Sequence, residues 1–128
     1  MIQRFIEIGE GYSDIYELIE IAKRNQDRLM HLMVFYTVKD QQEVCSFAVV
    51  LKPTDPGDFQ PIYICREGIP NPTKKPNKRF ELFQSLANET GKEIIELFVK
   101  PSNSFSEVAL YYQHLIGILR MNRYIPSF

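Results

Sequence analysis

The sequence has few of the residues on which most enzymatic and metal chemistry depends. Its 128 residues include two cysteines, two histidines and no tryptophan. Cys45 and Cys65 both stand in apolar runs, which is typical of buried thiols in a reducing compartment, although neighbouring strands could also make them a redox pair. His31 and His114 lie far from the cysteines along the chain, with no short ligand spacing. The sequence therefore predicts no metal site.

An excess of charge of one sign is missing as well. The formal net charge is -1, whereas a dedicated nucleic-acid binder needs a strongly basic face. No apolar run reaches the roughly 18 residues that a membrane span requires, and the first residues, MIQRFIEIGEG, lack the apolar core of a secretory signal. We therefore expect a cytoplasmic protein that does not bind membranes and is not a dedicated nucleic-acid binder.

The residues that are present have the composition of an ordinary globular domain. Hydrophobic residues make up 45% of the chain and charged residues 24%, and this length suits one compact core but not two. The GEG turn at residues 9–11 lacks the third glycine or the lysine of a nucleotide-binding motif. We predict a single domain over residues 1–128, with no cofactor.

The hydrophobic pattern predicts five strands and three helices in the order β-α-β-β-β-α-β-α. The predicted strands cover residues 3–8, 29–38, 44–52, 60–67 and 93–100, and the predicted helices cover residues 14–28, 78–90 and 105–122. Ser13, Asn77 and Ser104 are the predicted N-caps. This order predicts an α+β domain in which a mixed sheet of about five strands, with an antiparallel meander of the three middle strands, packs against helices.

The last predicted helix is apolar around nearly its whole circumference, and a single sheet cannot cover all of it. Large exposed apolar patches are uncommon on soluble monomers, and two-fold assemblies are the commonest oligomers. We therefore predict a homodimer. The predicted interface residues are Leu110, Tyr111, Ile118 and the C-terminal Phe128. Burial of this helix inside the monomer is the alternative.

One stretch has the character of a site, and we call residues 66–80, REGIPNPTKKPNKRF, the basic segment. Its cations are Arg66, Lys74, Lys75, Lys78 and Arg79, against the single acid Glu67. Two of these cations fall in the first turn of the second predicted helix, where the macrodipole disfavours cations and favours a bound anion. We predict that the five cations bind an anion or a partner. A solvated connection held extended by Pro70, Pro72 and Pro76 is the alternative.

Three functions could use the basic segment. The one we favour is a non-enzymatic, homodimeric binding or regulatory module whose partner is an anionic small molecule or an acidic protein, with no catalytic residue. The second is a small enzyme for an anionic substrate, in which Arg66, Lys75, Lys78 and Arg79 clamp the charge and Glu67 or His114 is the general acid or base. The third is a weak RNA binder in which Tyr63 or Phe80 stacks on bases.

Three stretches, MIQRFIEIGEGYSDIYELIEIAK, VVLKPTDPGDFQPIYICREGIPNP and YYQHLIGILRMNRYIP, resemble a family of uncharacterised soluble proteins of about 130 residues from Gram-positive, spore-forming bacteria. The similarity runs over nearly the whole chain. Because no activity or ligand is established for that family, the resemblance implies no functional residue.

Overall fold

A computed structural model describes residues 2–127, and within this range five strands form one sheet that three α-helices cover. The strands are β1 (Gln3–Glu7), β2 (Leu29–Lys39), β3 (Gln42–Leu51), β4 (Gln60–Pro70) and β5 (Ile94–Phe98). The helices are α1 (Tyr12–Arg24), α2 (Lys78–Thr90) and α3 (Val108–Met121), and 3-10 turns lie at Gln26–Arg28 and Ser102–Ser104. The predicted α+β class and element order are confirmed.

The sheet is mixed and has the strand order β1-β4-β3-β2-β5. The three middle strands form the predicted antiparallel meander, while β1 pairs with β4 and β5 pairs with β2 in parallel. All strands except β3 therefore run in the same direction. Their carboxyl ends meet at one margin of the sheet, which we call the carboxyl margin, and ligand sites of open α/β sheets favour such margins.

Two separate cores hold helices on both faces of the sheet, so the domain has three layers. Helices α1 and α2 cover one face, where the fully buried rings of Phe47 and Phe83 stack with centroids 4.5 Å apart. Helix α3 covers the other face with Tyr111, Leu115 and Leu119. Successive side chains of each strand point to opposite faces of the sheet, so the strands contribute residues to both cores. Truncation of a buried phenylalanine such as Phe83 to alanine typically lowers the free energy of unfolding by about 3–5 kcal/mol.

The ends of α2 follow the sequence prediction, whereas α1 and α3 begin elsewhere. The Asn77 side chain accepts a hydrogen bond from the Phe80 N–H, and Gly91 ends α2 with a φ of 70°. The predicted caps Ser13 and Ser104 are wrong, because α1 begins after Gly11 and α3 begins after Glu107. The Asp14 carboxylate accepts a hydrogen bond from the Gly11 N–H, so α1 begins earlier in the chain than predicted. Ser104 belongs to a 3-10 turn, so α3 begins later.

Helix α3 is covered on one side by the sheet and along part of its length by the C-terminal tail, whose Ile125 is buried in the same core. Tyr111 is fully buried within this one chain, so it has to be removed from the predicted dimer interface. Leu110 is 42% exposed and Ile118 is half-buried, so both can still reach a second copy. Phe128 lies outside the described residues. The homodimer itself stays a prediction.

Candidate functional site

The first five residues of the basic segment, 66–70, belong to strand β4. The Arg66 Nε lies 2.7 Å from the Glu7 carboxylate at the end of the neighbouring strand β1. Gly68 lies so close to the Glu10 side chain that a Cβ at this position would overlap it. Arg66 therefore has a nearby counter-ion, and Gly68 is required for packing at the carboxyl margin.

Glu67 lies at a β-bulge, where the register of β3 against β4 shifts between Cys45 and Phe47. Its φ is 51°, a left-handed conformation that a side chain with a Cβ rarely adopts. The Glu67 N–H donates to the Ser46 Oγ at 2.8 Å, and its carboxylate accepts from the Ser102 N–H at 2.7 Å. The bulge thus turns a charged side chain, only 2% exposed, into the α3 side of the sheet.

The carboxylate of Glu67 is engaged at both oxygens. One accepts from the Ser102 backbone, and the other accepts from the Ser102 hydroxyl and from the Lys39 ammonium at 3.3 Å. Burial and the nearby Glu67 charge raise the pKa of the Tyr111 hydroxyl well above its usual range. A carboxylate that already binds three donors is suited to tying the chain after β5 to β4, and it is poorly placed to accept a substrate proton.

His114 was the other candidate acid or base. Its ring lies against Phe105, with centroids 5.2 Å apart, and burial, helped by the Lys100 charge, lowers the pKa of the imidazole. His114 is on α3, whereas the lysines of the basic segment follow β4 on the way to α2. The geometry gives no support to the enzymatic hypothesis.

Arg79 is one of the two cations in the first turn of α2, where the helix dipole disfavours positive charge. Its Nη1 donates to the carbonyl of Glu10 at 2.7 Å, and more weakly to that of Gly68 at 3.4 Å. The guanidinium also lies 5.4 Å from the centre of the Tyr12 ring. The chain itself supplies these partial negative charges to Nη1 and to the ring contact, while the buried Nε has no hydrogen-bond partner among the described residues.

The three lysines of the basic segment lie at the surface. Lys74 is 3.8 Å from Glu43, and Lys78 is 3.9 Å from Glu81 one helical turn away, and exposed pairs at such distances contribute little to stability. Lys75 is exposed on the same loop. The structure therefore separates the five predicted cations into two internal arginines and three surface lysines.

The aromatic residues required by the RNA hypothesis are partly buried in the protein's own packing. Tyr63 packs against the core on the α1 and α2 side, and so does Phe80. The Phe80 ring lies 6.0 Å from that of Phe47. This packing leaves only part of each ring for stacking on a base.

A groove runs between α2 and β5, and the basic segment closes one end of it. Two adjoining cavities of about 360 Å³ and 420 Å³ share Phe80, Gln84 and Glu96. The first cavity extends to Pro72, Thr73, Pro76 and Asn77, and the second extends to Asn88, Lys92 and Glu93. We call this feature the α2–β5 groove. Its size is that of a ligand or peptide site.

The floor and outer rim of the α2–β5 groove combine apolar surface with negative charge. The Tyr36 hydroxyl donates to the Glu96 carboxylate at 2.9 Å, and the Phe98 ring lies 5.4 Å from that of Tyr36. Phe98 is 84% exposed, and Val38, two residues after Tyr36, is 57% exposed. Sequence reasoning missed Glu96 and Phe98 because they belong to a predicted strand whose edge position was not known.

Two other cavities lie away from the groove. One, of about 430 Å³, is lined by Met30, by Pro126 and by the loop of residues 52–57 between β3 and β4. The other, of about 160 Å³, surrounds the Glu7–Arg66 ion pair. Neither involves a lysine of the basic segment.

The two cysteines are free thiols inside the α1 and α2 core. Because of the bulge, Cys45 pairs with Ile69 and Cys65 pairs with Phe47, so the thiols are not directly opposite each other. Burial raises the pKa of each to about 12. Such thiols are unreactive at neutral pH.

Comparison with known proteins places the chain in a family. A model of a domain of unknown function, DUF7147, matches residues 1–125. The chain belongs to the DUF7147 family. This membership confirms the expected uncharacterised family and does not bear on the expected bacterial origin. Neither a curated protein nor a solved structure matches the chain.

Two further properties concern residues 2–127. None of the helices in this range has the length and apolar character needed to cross a membrane. In the same range, no three histidine, cysteine, aspartate or glutamate side chains are grouped so that they could hold a metal ion.

Proposed function

We propose that this protein is a cytoplasmic, non-enzymatic binding module and that it contacts a partner protein through the α2–β5 groove. The observation that carries the proposal is a continuous groove beside which the Phe98 ring, next to the groove residue Tyr36, is 84% exposed. Aromatic side chains that remain exposed beside a concave surface are typical anchors of protein interfaces.

The surface lysines of the basic segment extend this contact. Lys74 and Lys75 are exposed on the loop that carries Thr73 and Pro76 into the groove wall. Rim charges of this kind steer association and add little affinity. The predicted interaction with an acidic partner is therefore proposed for these two lysines and Lys78. Arg66 and Arg79 act within the fold.

A site-specific photo-crosslink tests the groove as a binding surface. We propose to place benzoylphenylalanine at Gln84, on the groove wall, and in a control chain at Glu17, exposed on α1. In native cells, Gln84 should crosslink to a protein that mass spectrometry identifies and that Glu17 does not capture. Adding Phe98→Asp should abolish the product. Equal products from both positions, or no product from Gln84, would contradict the proposal.

We propose in addition that two copies associate through the outer face of α3. Val108, Leu110 and Met121 are exposed on this helix, with Met121 at 84%, and Gly117 presents no side chain that would keep another backbone away. These residues lie on the other face of the sheet from α2. A dimer would therefore leave the α2–β5 groove accessible.

Light scattering at micromolar concentration tests the assembly. A homodimer should scatter as twice the 15.0 kDa chain, and Leu110→Lys combined with Met121→Lys should return it to the monomer mass. Gln26→Lys combined with Ser85→Lys adds the same two charges at exposed positions on the other side of the sheet and is the matched control. A wild-type species of single-chain mass contradicts the dimer.

A further inference from the structure

Strand β5 is the last strand of the sheet and has a free edge toward the α2–β5 groove. The Val99 N–H donates to the Tyr36 carbonyl at 2.9 Å, so it points toward β2. Because successive peptide groups of a strand point to opposite sides, those of Glu96 and Phe98 point away from β2. An added strand would find its backbone partners at these two residues.

The side chains of β5 would meet an added strand on both faces. Ile94, Glu96 and Phe98 lie on the α2 side, in register with buried residues of β2. Ile95 and Leu97 lie on the α3 side, partly buried against its core. A strand paired with β5 would therefore contact apolar groups on both faces, with a carboxylate at the centre of one of them.

The charged residues of the groove determine which kind of added strand can pair with β5. Glu81, Glu93 and Glu96 line the groove with one cation, Lys92. Lys78 pairs with Glu81 at the end nearer the basic segment, so the negative charge is concentrated at Glu93 and Glu96. A second copy of β5, paired antiparallel about Glu96, would bring two carboxylates opposite each other, which is unfavourable. A segment with a lysine or arginine opposite Glu96 would bring unlike charges together instead.

We infer that β5 accepts, as a sixth strand, an extended segment of a partner protein that carries a lysine or arginine opposite Glu96 and apolar residues opposite Ile94 and Phe98. The backbone hydrogen bonds supply affinity, and the cation supplies selectivity. The inference rests on the proposed function of the groove and names the class of partner.

The probe is a fluorescein-labelled peptide of alternating valine and threonine with a lysine at its centre and glycine-serine ends. A matched peptide has glutamate at the centre, and binding is measured by fluorescence anisotropy. We expect the lysine peptide to bind roughly tenfold more tightly, and Glu96→Lys to reverse this preference. Equal affinities of the two peptides, or a preference unchanged by Glu96→Lys, would overturn the inference.

A proline at position 96 tests the strand geometry itself. Proline is tolerated where a strand N–H faces outward, so Glu96→Pro should keep the wild-type melting temperature and abolish binding of both peptides. Glu96→Gln, which keeps the N–H, should reduce the preference for lysine and retain binding. If Glu96→Pro lowers the melting temperature, hydrogen exchange in the wild-type protein takes the place of this variant. The lysine peptide should then protect the Glu96 amide from exchange, and absence of that protection refutes strand addition.

The peptide and crosslinking results separate this inference from the proposed function. A crosslinked partner at Gln84 without peptide binding would refute strand addition and retain the groove as a binding surface. No specific product from Gln84 would refute the proposed function, whatever the peptides do. Self-association that Glu96→Pro abolishes would show that a second copy of the chain occupies the edge, and this result would also overturn the inference.

Discussion

The two edges of the sheet end in different ways. At the β1 edge, Gln3 is buried, and its side-chain amide donates to Gln60 and to the carbonyl of Pro126 while it accepts from Arg120. At the β5 edge, Phe98 is 84% exposed, and Glu96 accepts from the Tyr36 hydroxyl beside it.

The molecule's own tail and side chains thus hold the first residue of β1, whereas the last residue of β5 presents an exposed ring. Exposed edge strands promote unwanted pairing, and natural proteins protect them with charge, bulges or a covering segment. Glu96 provides one protective charge on β5. It discourages pairing with a second copy and leaves a cationic strand as the favoured neighbour.

The largest expected effect comes from Glu67, which ties β4 to the chain after β5. Glu67→Ala should lower the free energy of unfolding by about 2–4 kcal/mol, because the Ser102 N–H and the Lys39 ammonium lose their buried acceptor. Urea unfolding followed by circular dichroism measures it. Glu67→Gly removes the same carboxylate but relieves the positive φ, so it should be about 1 kcal/mol less destabilising than alanine. A wild-type midpoint for the alanine variant would contradict this account.

Gln3→Ala should break the β1 edge. The change leaves the fully buried Gln60 and the tail carbonyl of Pro126 without their donor, and we expect a loss of about 1–3 kcal/mol in the free energy of unfolding. Limited proteolysis should also release the tail after residue 123. Arg4→Ala, at an exposed position of the same strand, is the control and should stay within about 0.5 kcal/mol of wild type. A resistant tail would show that Gln3 does not hold it.

Phe98→Thr should have little effect on stability, within about 0.5 kcal/mol in urea unfolding, because most of the ring is already in contact with water. The comparison with Gln3→Ala is the sharpest test of the difference between the edges. A loss above 2 kcal/mol for Phe98→Thr would mean that the ring supports the fold and is not reserved for a partner.

Local signals in the sequence predicted much of this fold. Asn77 and Gly91 mark the ends of α2 because a cap depends on residues next to it in the chain, and apolar periodicity gave the element order. Ser13 and Ser104 failed as caps because Asp14 and a 3-10 turn compete for the same backbone groups. The strand order stayed undetermined, since it depends on which surfaces meet after folding.

The site was harder to predict than the fold for the same reason. Arg66 is adjacent to other cations in sequence, but it pairs with Glu7 from a distant part of the chain. The bulge at Glu67 depends on Ser46 in the facing strand. The groove arises only when α2, β5 and the loop of residues 72–77 come together, so Glu96 and Phe98 carried no signal that could distinguish them from other strand residues.

The smallest expected effect is a pH-dependent loss of stability that originates in the burial of His31, a β2 residue in contact with the tail. The His31 Nε2 donates to the Tyr124 carbonyl at 2.9 Å, and burial, opposed by this bond and helped by Lys92, lowers the pKa of His31 below 6.5. Below pH 6.5 the unfolded chain therefore binds more protons than the folded chain, so stability decreases as the pH falls through this value.

Urea unfolding at pH 7.5 and 5.5 measures this contribution as a difference between variants. His31→Gln should show a smaller loss between the two pH values than wild type, because glutamine does not titrate. His114→Gln is the matched control, since the lowered pKa of His114 acts in the same direction without a contact to the tail. A pH-dependent loss that His31→Gln reduces would assign part of it to the burial of the His31 ring, because the imidazolium still donates to the Tyr124 carbonyl. An equal loss in His31→Gln and wild type would contradict this assignment.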